Sequence, residues 1–154
     1  MRLSKTDAYA LHALGYLGTR PREEKTSGDD ISAATGIARP YLMRVLATLV
    51  SAGIVTSCKG PGGGYCLARP AAEISLRDVM RAIDGPIAPL SCVSLNWYRS
   101  CPMEGRCHAQ TGVYTRIRDV MLGVLAQVSV ADLAIDVANG VDYRNCIAHV
   151  LAPN

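Results

Sequence analysis

Apolar residues recur at helical spacing along most of this chain and are arranged as short strands in only one place, which predicts a mainly helical fold with a single β-hairpin. Ala10, Leu11, Leu14 and Leu17 share one stripe of a helix over residues 4–18, opened by Ser4 or Thr6 as cap and ended by Gly18. A polar, charged run over 19–30 with Pro21 and Gly28 reads as a solvated loop. Asp29 or Asp30 then opens a short helix of small residues that breaks at Gly36. A second helix follows over 39–53. Pro40 stands in its first turn, where a missing N–H costs nothing, and Leu42, Val45, Leu46, Leu49 and Val50 face inward.

Two helices joined around a glycine make either a helix-turn-helix or an ordinary helical hairpin. The residues that follow favour the first. Residues 54–58 and 65–67 read as two strands around Gly60, Pro61, Gly62, Gly63 and Gly64, a turn that needs positive φ angles. Two turn residues would suffice for a plain hairpin. A longer glycine run behind Lys59 lets backbone N–H groups and a cation approach phosphates, as the wing of a winged helix-turn-helix does. Ser75 caps a further helix with Leu76, Val79, Met80 and Ile83 at helical spacing, and Asp84, Gly85 and Pro86 break it.

A long amphipathic helix is expected over 111–128, with Val113, Ile117, Val120, Met121, Val124 and Leu125 on one stripe and Arg116, Arg118 and Asp119 opposite. Such a stripe needs a cover. The same helix from a second copy gives a two-fold dimer, and packing back on its own domain is the alternative. A short helix around Asp132, Leu133 and Ile135 ends the regular part. The expected organisation is a winged helix-turn-helix domain over 1–84, a cysteine-rich loop over 85–110, a dimerisation helix with its short successor over 111–135, and a variable C-terminal tail over 136–154. Cys146 and His149 stand three apart in that tail, and two residues make no metal site.

Composition narrows the function. With 154 residues and 49% hydrophobic content the chain can bury one core. No apolar run reaches the roughly 20 residues of a membrane span, and no secretory leader is evident, so a cytoplasmic protein is expected. Net charge is +3, unevenly shared: residues 1–70 hold nine Lys/Arg against five Asp/Glu, residues 71–154 seven against eight. A basic N-terminal half is compatible with a polyanion partner. No Ser/His/Asp or paired-carboxylate arrangement is evident, and the run at 60–64 lacks the Lys-Ser/Thr ending of a nucleotide-binding loop, so no enzyme is expected.

Three of the six cysteines, Cys92, Cys101 and Cys107, lie on one loop with eight and five residues between them. Soft thiolates select iron-sulfur clusters, zinc or cuprous ions over hard cations, and three of them leave one coordination position for another donor. Cys58 and Cys66 flank the wing, where they either pack as small side chains or face each other as a redox pair.

Taken together, these residues resemble the winged-helix transcription regulators that include IscR, NsrR and RirA. The similarity rests on the opening Met1, Arg2, Leu3, Ser4 with Tyr9, Ala10, Leu11; on Tyr41, Leu42 through Leu49 to Gly53, Ile54, Val55; and on Lys59 through the glycine run to Tyr65, Cys66, Leu67. Ile74 to Val79, Ala82 to Gly85, the three loop cysteines and Val130, Ala131, Asp132, Leu133 extend it to roughly residues 1–135. The resemblance implies a dimeric regulator whose promoter affinity depends on an iron-sulfur cluster, [2Fe-2S] or [4Fe-4S], held by Cys92, Cys101 and Cys107. The chain departs from these relatives at the fourth ligand. IscR-like members place a histidine where this chain has Gln110, and NsrR-like members place an aspartate on helix one where it has Ala8. Asp7, one residue earlier, and His12, one turn later, are the candidates, with His108 third.

On this reading a palindromic double-stranded DNA site is gripped by two recognition helices. Arg39, Tyr41 and Arg44 would contact bases and phosphates, and Lys59 with the backbone of Gly60, Gly62, Gly63 and Gly64 would hold the wing to the DNA backbone. Alternatives of the same fold are a thiol-disulfide switch without metal, a structural zinc site, and a module that regulates another protein by binding it.

Overall fold

Ser4 starts the first helix by a reciprocal cap. Its hydroxyl accepts from the Asp7 backbone N–H at 3.2 Å while the Asp7 carboxylate accepts from the Ser4 N–H at 2.6 Å, satisfying two donors a helix start leaves orphaned. The helix that follows, α1 (Lys5–Gly18), buries the expected stripe of Ala10, Leu11, Leu14 and Leu17. The computed structural model describes residues 4–145. Cys146 and His149 lie outside them.

Helix α2 (Gly28–Thr35) begins earlier than Asp29 or Asp30 would suggest, because Ser27 is the cap: its hydroxyl accepts from the Asp30 N–H at 3.0 Å. Helix α3 (Arg39–Ser51) starts with Pro40 in its first turn and buries Leu42, Val45, Leu46 and Leu49 against α1 and α2. Strands β1 (Val55–Cys58) and β2 (Gly64–Leu67) pair antiparallel in the register Val55 to Leu67, Thr56 to Cys66, Ser57 to Tyr65 and Cys58 to Gly64. That register separates the two wing cysteines: Thr56 faces Cys66 and Gly64 faces Cys58.

Helix α4 (Leu76–Asp84) has the same reciprocal cap, between Ser75 and Asp78. Its start is tied to the far end of the chain. The Leu76 N–H donates to Val128 O at 2.7 Å and the Val130 N–H to Ile74 O at 2.9 Å, a bridge that brings Ser75 beside Ser129. Between these anchors the chain runs out through the cysteine loop, a π-helical turn (Ala109–Tyr114) and helix α5 (Thr115–Gln127). The expected helix over 111–128 is therefore regular α only from Thr115; Gly112 and the β-branched Thr111 and Val113 favour the α geometry weakly. Helix α6 (Val130–Ala138), capped by Ser129 and Asp132, returns to pack along α1, so close that a Cβ on Gly15 would meet Val137 Cγ2 at 2.7 Å.

One core joins these elements, with Leu14, Ile31, Leu42, Leu46, Leu49, Ile54, Ile74, Val79 and Val130 at its centre. The result is mainly α with a small β-hairpin wing, as the sequence pattern predicts. Among the described residues no helix is long and apolar enough to cross a membrane.

Residues 141–145 do not trail away. The Asp142 carboxylate accepts from Arg144 Nε at 2.8 Å and Nη2 at 2.5 Å, and the Arg144 guanidinium lies over Gly36, the residue that turns α2 into α3. Gly36 has φ 62°, where an L side chain costs about 1–2 kcal/mol, and a Cβ there would run into the guanidinium. Gly36→Ala is expected to lower the melting temperature by about 3–8 °C for a chain of this size. Adding Arg144→Ala should recover the part due to the clash, which calorimetry on the single and double variants would resolve.

Candidate functional site

Two regions carry the residues expected to act. The first is the outer edge of α3 with the wing. Arg39, Tyr41 and Arg44 are all exposed there, Arg44 on the side away from Leu42, Leu46 and Leu49 and Arg39 at the helix start, beside α2. They are not equally available. Arg39 Nε donates to Asp29 Oδ1 at 2.5 Å, tying it back to α2, though an exposed pair of this kind contributes only about 0–1 kcal/mol and yields readily to a phosphate. The Tyr41 ring sits 6.2 Å from that of Tyr9 in a tilted pair. Among the described residues neither Arg44 nor Lys59 has a carboxylate within ion-pair distance.

In the wing, Gly60 (φ 97°) and Gly62 (φ 72°) adopt the left-handed backbone the turn requires. The Gly63 N–H is used inside the turn, donating to Gly60 O at 2.9 Å. Gly64 is needed for a different reason. Thr26 and Tyr65 exchange backbone hydrogen bonds of 3.0 and 2.8 Å, adding a bridge to the base of the hairpin, and a Cβ on Gly64 would stand 2.5 Å from Thr26 O. The glycine lets the wing lie flat on the loop between α1 and α2.

The second region is the thiol loop. Cys92 sits in a 3₁₀ turn (Ser91–Val93) whose Val93 is buried and whose Val93 carbonyl accepts from Arg118 Nη1 at 2.6 Å, fastening the loop to α5. Ser94 Oγ accepts from the Trp97 N–H at 3.0 Å, and the Arg99 guanidinium lies 4.6 Å from the Trp97 ring centre. Cys101 opens a turn in which its carbonyl accepts from the Glu104 N–H at 2.9 Å. A cavity of about 410 Å³ is lined by Cys92, Ser94, Tyr98, Glu104, Thr115 and Arg118.

The Tyr98 phenol, which donates to Glu104, is pushed above its usual value, first by that hydrogen bond, then by burial, by the Glu104 charge and by Cys92 and Cys101. Cys107, half-buried, leads into the π-helical turn ahead of α5. Among the described residues no three His, Cys, Asp or Glu side chains converge on one point.

Asp7 and His12 lie on α1, apart from the loop, and both are buried. Each keeps one buried atom without a hydrogen-bond partner, Oδ1 of Asp7 and Nδ1 of His12. His12 Nε2 is 3.8 Å from Asp142 Oδ1. Burial lowers its imidazole below the usual value, and Arg144 adds to this while Asp142 opposes it. His108 is exposed beside Cys107. Asp142 and Arg144, which face His12 and the α2–α3 turn, carry no periodic signal by which the sequence could have announced them.

The sequence matches the Rrf2 model, described as an iron-dependent transcriptional regulator, over residues 3–136. The chain belongs to the Rrf2 family. It is 38% identical over 134 residues to an HTH-type transcriptional regulator of Mycobacterium tuberculosis, covering 87% of this chain and 81% of that one. It is 30% identical over 133 residues to the regulator IscR of Photorhabdus laumondii, covering 86% and 79%. In structure it is similar to CymR, the global cysteine regulator of Bacillus subtilis, with a TM-score of 0.68 at 28% identity, covering 87% of this chain and 96% of that one. The protein is accordingly an Rrf2-family helix-turn-helix transcription regulator and not an enzyme.

Proposed function

We propose that two copies of this Rrf2 protein pair through α5, grip a palindromic promoter with α3 and the wing of each copy, and adjust that grip through an iron-sulfur cluster on Cys92, Cys101 and Cys107. One observation carries the reading: the loop bearing three soft donors is fastened to the apolar α5 by the Arg118 to Val93 hydrogen bond, so a change at the sulfurs reaches the helix that sets the spacing of the two reading heads. The donor set fits such a centre chemically. Asp7 and His12, each with one unpartnered polar atom, are the candidates for the fourth position, and since both are buried within their own copy, either must turn outward to reach a cluster on the other. When bound, the cluster would supply an iron centre that oxidants, nitric oxide or iron shortage can alter or remove.

On the DNA, Arg44 and Tyr41 read the major groove together with Arg39 once its pair with Asp29 opens. Lys59 and the backbone of Gly60, Gly62 and Gly64 hold the wing to phosphates, while the Gly63 N–H stays committed to Gly60 O within the turn. A coupling of about 1–3 kcal/mol between loop and DNA, ordinary for linked sites, changes promoter occupancy about 5- to 150-fold. A promoter partner supports a cytoplasmic location.

A second reading keeps the fold and DNA but uses the thiols without metal. It is supported by the lack of three converging donors among the described residues and by the likeness to CymR. Absorption and Mössbauer spectra of protein purified without air distinguish the two. The cluster reading expects a visible chromophore with iron, lost in each of Cys92→Ala, Cys101→Ala and Cys107→Ala. A variant that keeps its colour removes that cysteine from the ligand set. A colourless protein whose DNA affinity changes on thiol oxidation supports the second reading, and stoichiometric zinc would replace both.

A further inference from the structure

A cleft of about 330 Å³ opens between the start of α1 and the outer edge of α3, lined by Lys5, Thr6, Tyr9, Tyr41, Arg44 and Val45. Its chemistry is one-sided. Two cations, a hydroxyl and two phenols surround it, and no carboxylate is among its described lining residues. Neither Lys5 nor Arg44 has an acidic partner among the described residues, whereas Arg20, Arg39, Arg69, Arg118 and Arg144 each do. The only carboxylate in the first turn of α1, Asp7, is turned inward and held by the Ser4 cap, so it does not neutralise the cleft. The tilted Tyr9 and Tyr41 rings and the buried Val45 form its apolar wall. Donors of this kind around a pocket too small for a base pair suit a single phosphate group: Lys5 and Arg44 supply charge, and Thr6 and the phenols donate hydrogen bonds.

We propose that this cleft is a phosphate seat, and that its occupant is one backbone phosphate of the DNA strand beside the major groove into which α3 projects. The inference rests on the proposed DNA-binding reading and extends the DNA contact to α1. Because Arg44 belongs to both the reading edge and the seat, clamping this phosphate fixes where along the groove α3 begins. Lys5, Thr6 and Tyr9 position the helix and carry no sequence information themselves.

The test uses full-length protein and fluorescence anisotropy with a promoter duplex and an unrelated duplex across a salt series. Lys5→Ala should weaken binding to both duplexes equally, about fivefold for one exposed charged contact, and flatten the slope of log affinity against log salt by about 1. Lys5 is exposed and outside the core, so the melting temperature should not change. A second set of duplexes carries single neutral methylphosphonates. One position should weaken wild type several-fold more than it weakens Lys5→Ala, which keeps only the Arg44 charge there, and that position locates the phosphate.

If wild type binds DNA but Lys5→Ala keeps its affinity and slope, the seat is not a DNA contact and the inference falls. If the Lys5 and Thr6 amide signals instead saturate with millimolar inorganic phosphate at constant ionic strength while DNA binding is untouched by Lys5→Ala, the seat takes a free phosphate and the assignment to DNA is overturned. If wild type binds no duplex in any redox state, the functional reading itself has failed.

Discussion

Val120→Glu should convert the protein to a monomer and lower its affinity for a two-half-site promoter by about two to four orders of magnitude. Val113 of the π-helical turn and Ile117, Val120 and Val124 of α5 remain 58%, 40%, 65% and 56% exposed along one side, a stripe that the other described residues leave uncovered. Among the described residues none packs back over these four side chains, the alternative to a dimer. In a two-fold pair each substitution occurs twice and brings carboxylates together in an apolar seam, at a cost of several kcal/mol. Losing the pair also loses the second half-site, and linked binding of two modules exceeds one by about 10²–10⁴. Sedimentation velocity and anisotropy would report the two effects together. Val120 contributes nothing to the core, so the helical circular dichroism and melting of each copy should be retained. A dimer that survives Val120→Glu would move the interface elsewhere.

Leu46→Ala acts on the other side of the recognition helix. Leu46 is fully buried in α3 within the core that joins α1 to α3 and the wing, and truncation leaves a cavity that rigid helices on every side cannot close. The expected loss is about 2–5 kcal/mol, a large part of the about 5–15 kcal/mol that holds an ordinary domain folded. Urea denaturation followed by circular dichroism should show the midpoint falling, with little change of slope if the transition stays two-state. Leu46→Met, which nearly conserves volume, should cost under about 1.5 kcal/mol. Equal losses in the two variants would contradict the packing described.

The helices could be read from the chain because their signals are local. Ser4, Ser75 and Ser129 each stand three residues ahead of an aspartate and directly before an apolar periodic run, and each proves to be a reciprocal cap. The start of α2 was less legible because Ser27, Asp29 and Asp30 are all competent caps, and only the hydrogen bond to the Asp30 N–H decides among them. The wing glycines were legible as a turn. Their division of labour was not, since the need for Gly64 comes from Thr26, a residue distant in sequence. The relation between Cys58 and Cys66 depended on a slide of two residues along the hairpin, which a loop of glycines does not specify.

The thiol loop shows the same limit. Spacing announces that three sulfurs share a segment, and it is silent about whether they point together, because side-chain direction in a loop is set by contacts such as Arg118 to Val93 and Ser94 to Trp97. The pair of Asp142 and Arg144 was invisible for a related reason. A short polar run reads as tail, and its destination over Gly36 is a property of how α6 lies on α1.

The bridge between Ser75 and Ser129 has an architectural consequence. Both ends of the segment that carries the thiols and α5 are rooted at one spot on the body, so that segment is a detour spliced between two fixed posts. Lengthening or shortening such a detour costs only the slowly growing entropy of a closed loop. A thiol segment mounted this way can be rebuilt, with other spacings or other donors, while the helix-turn-helix body keeps its shape.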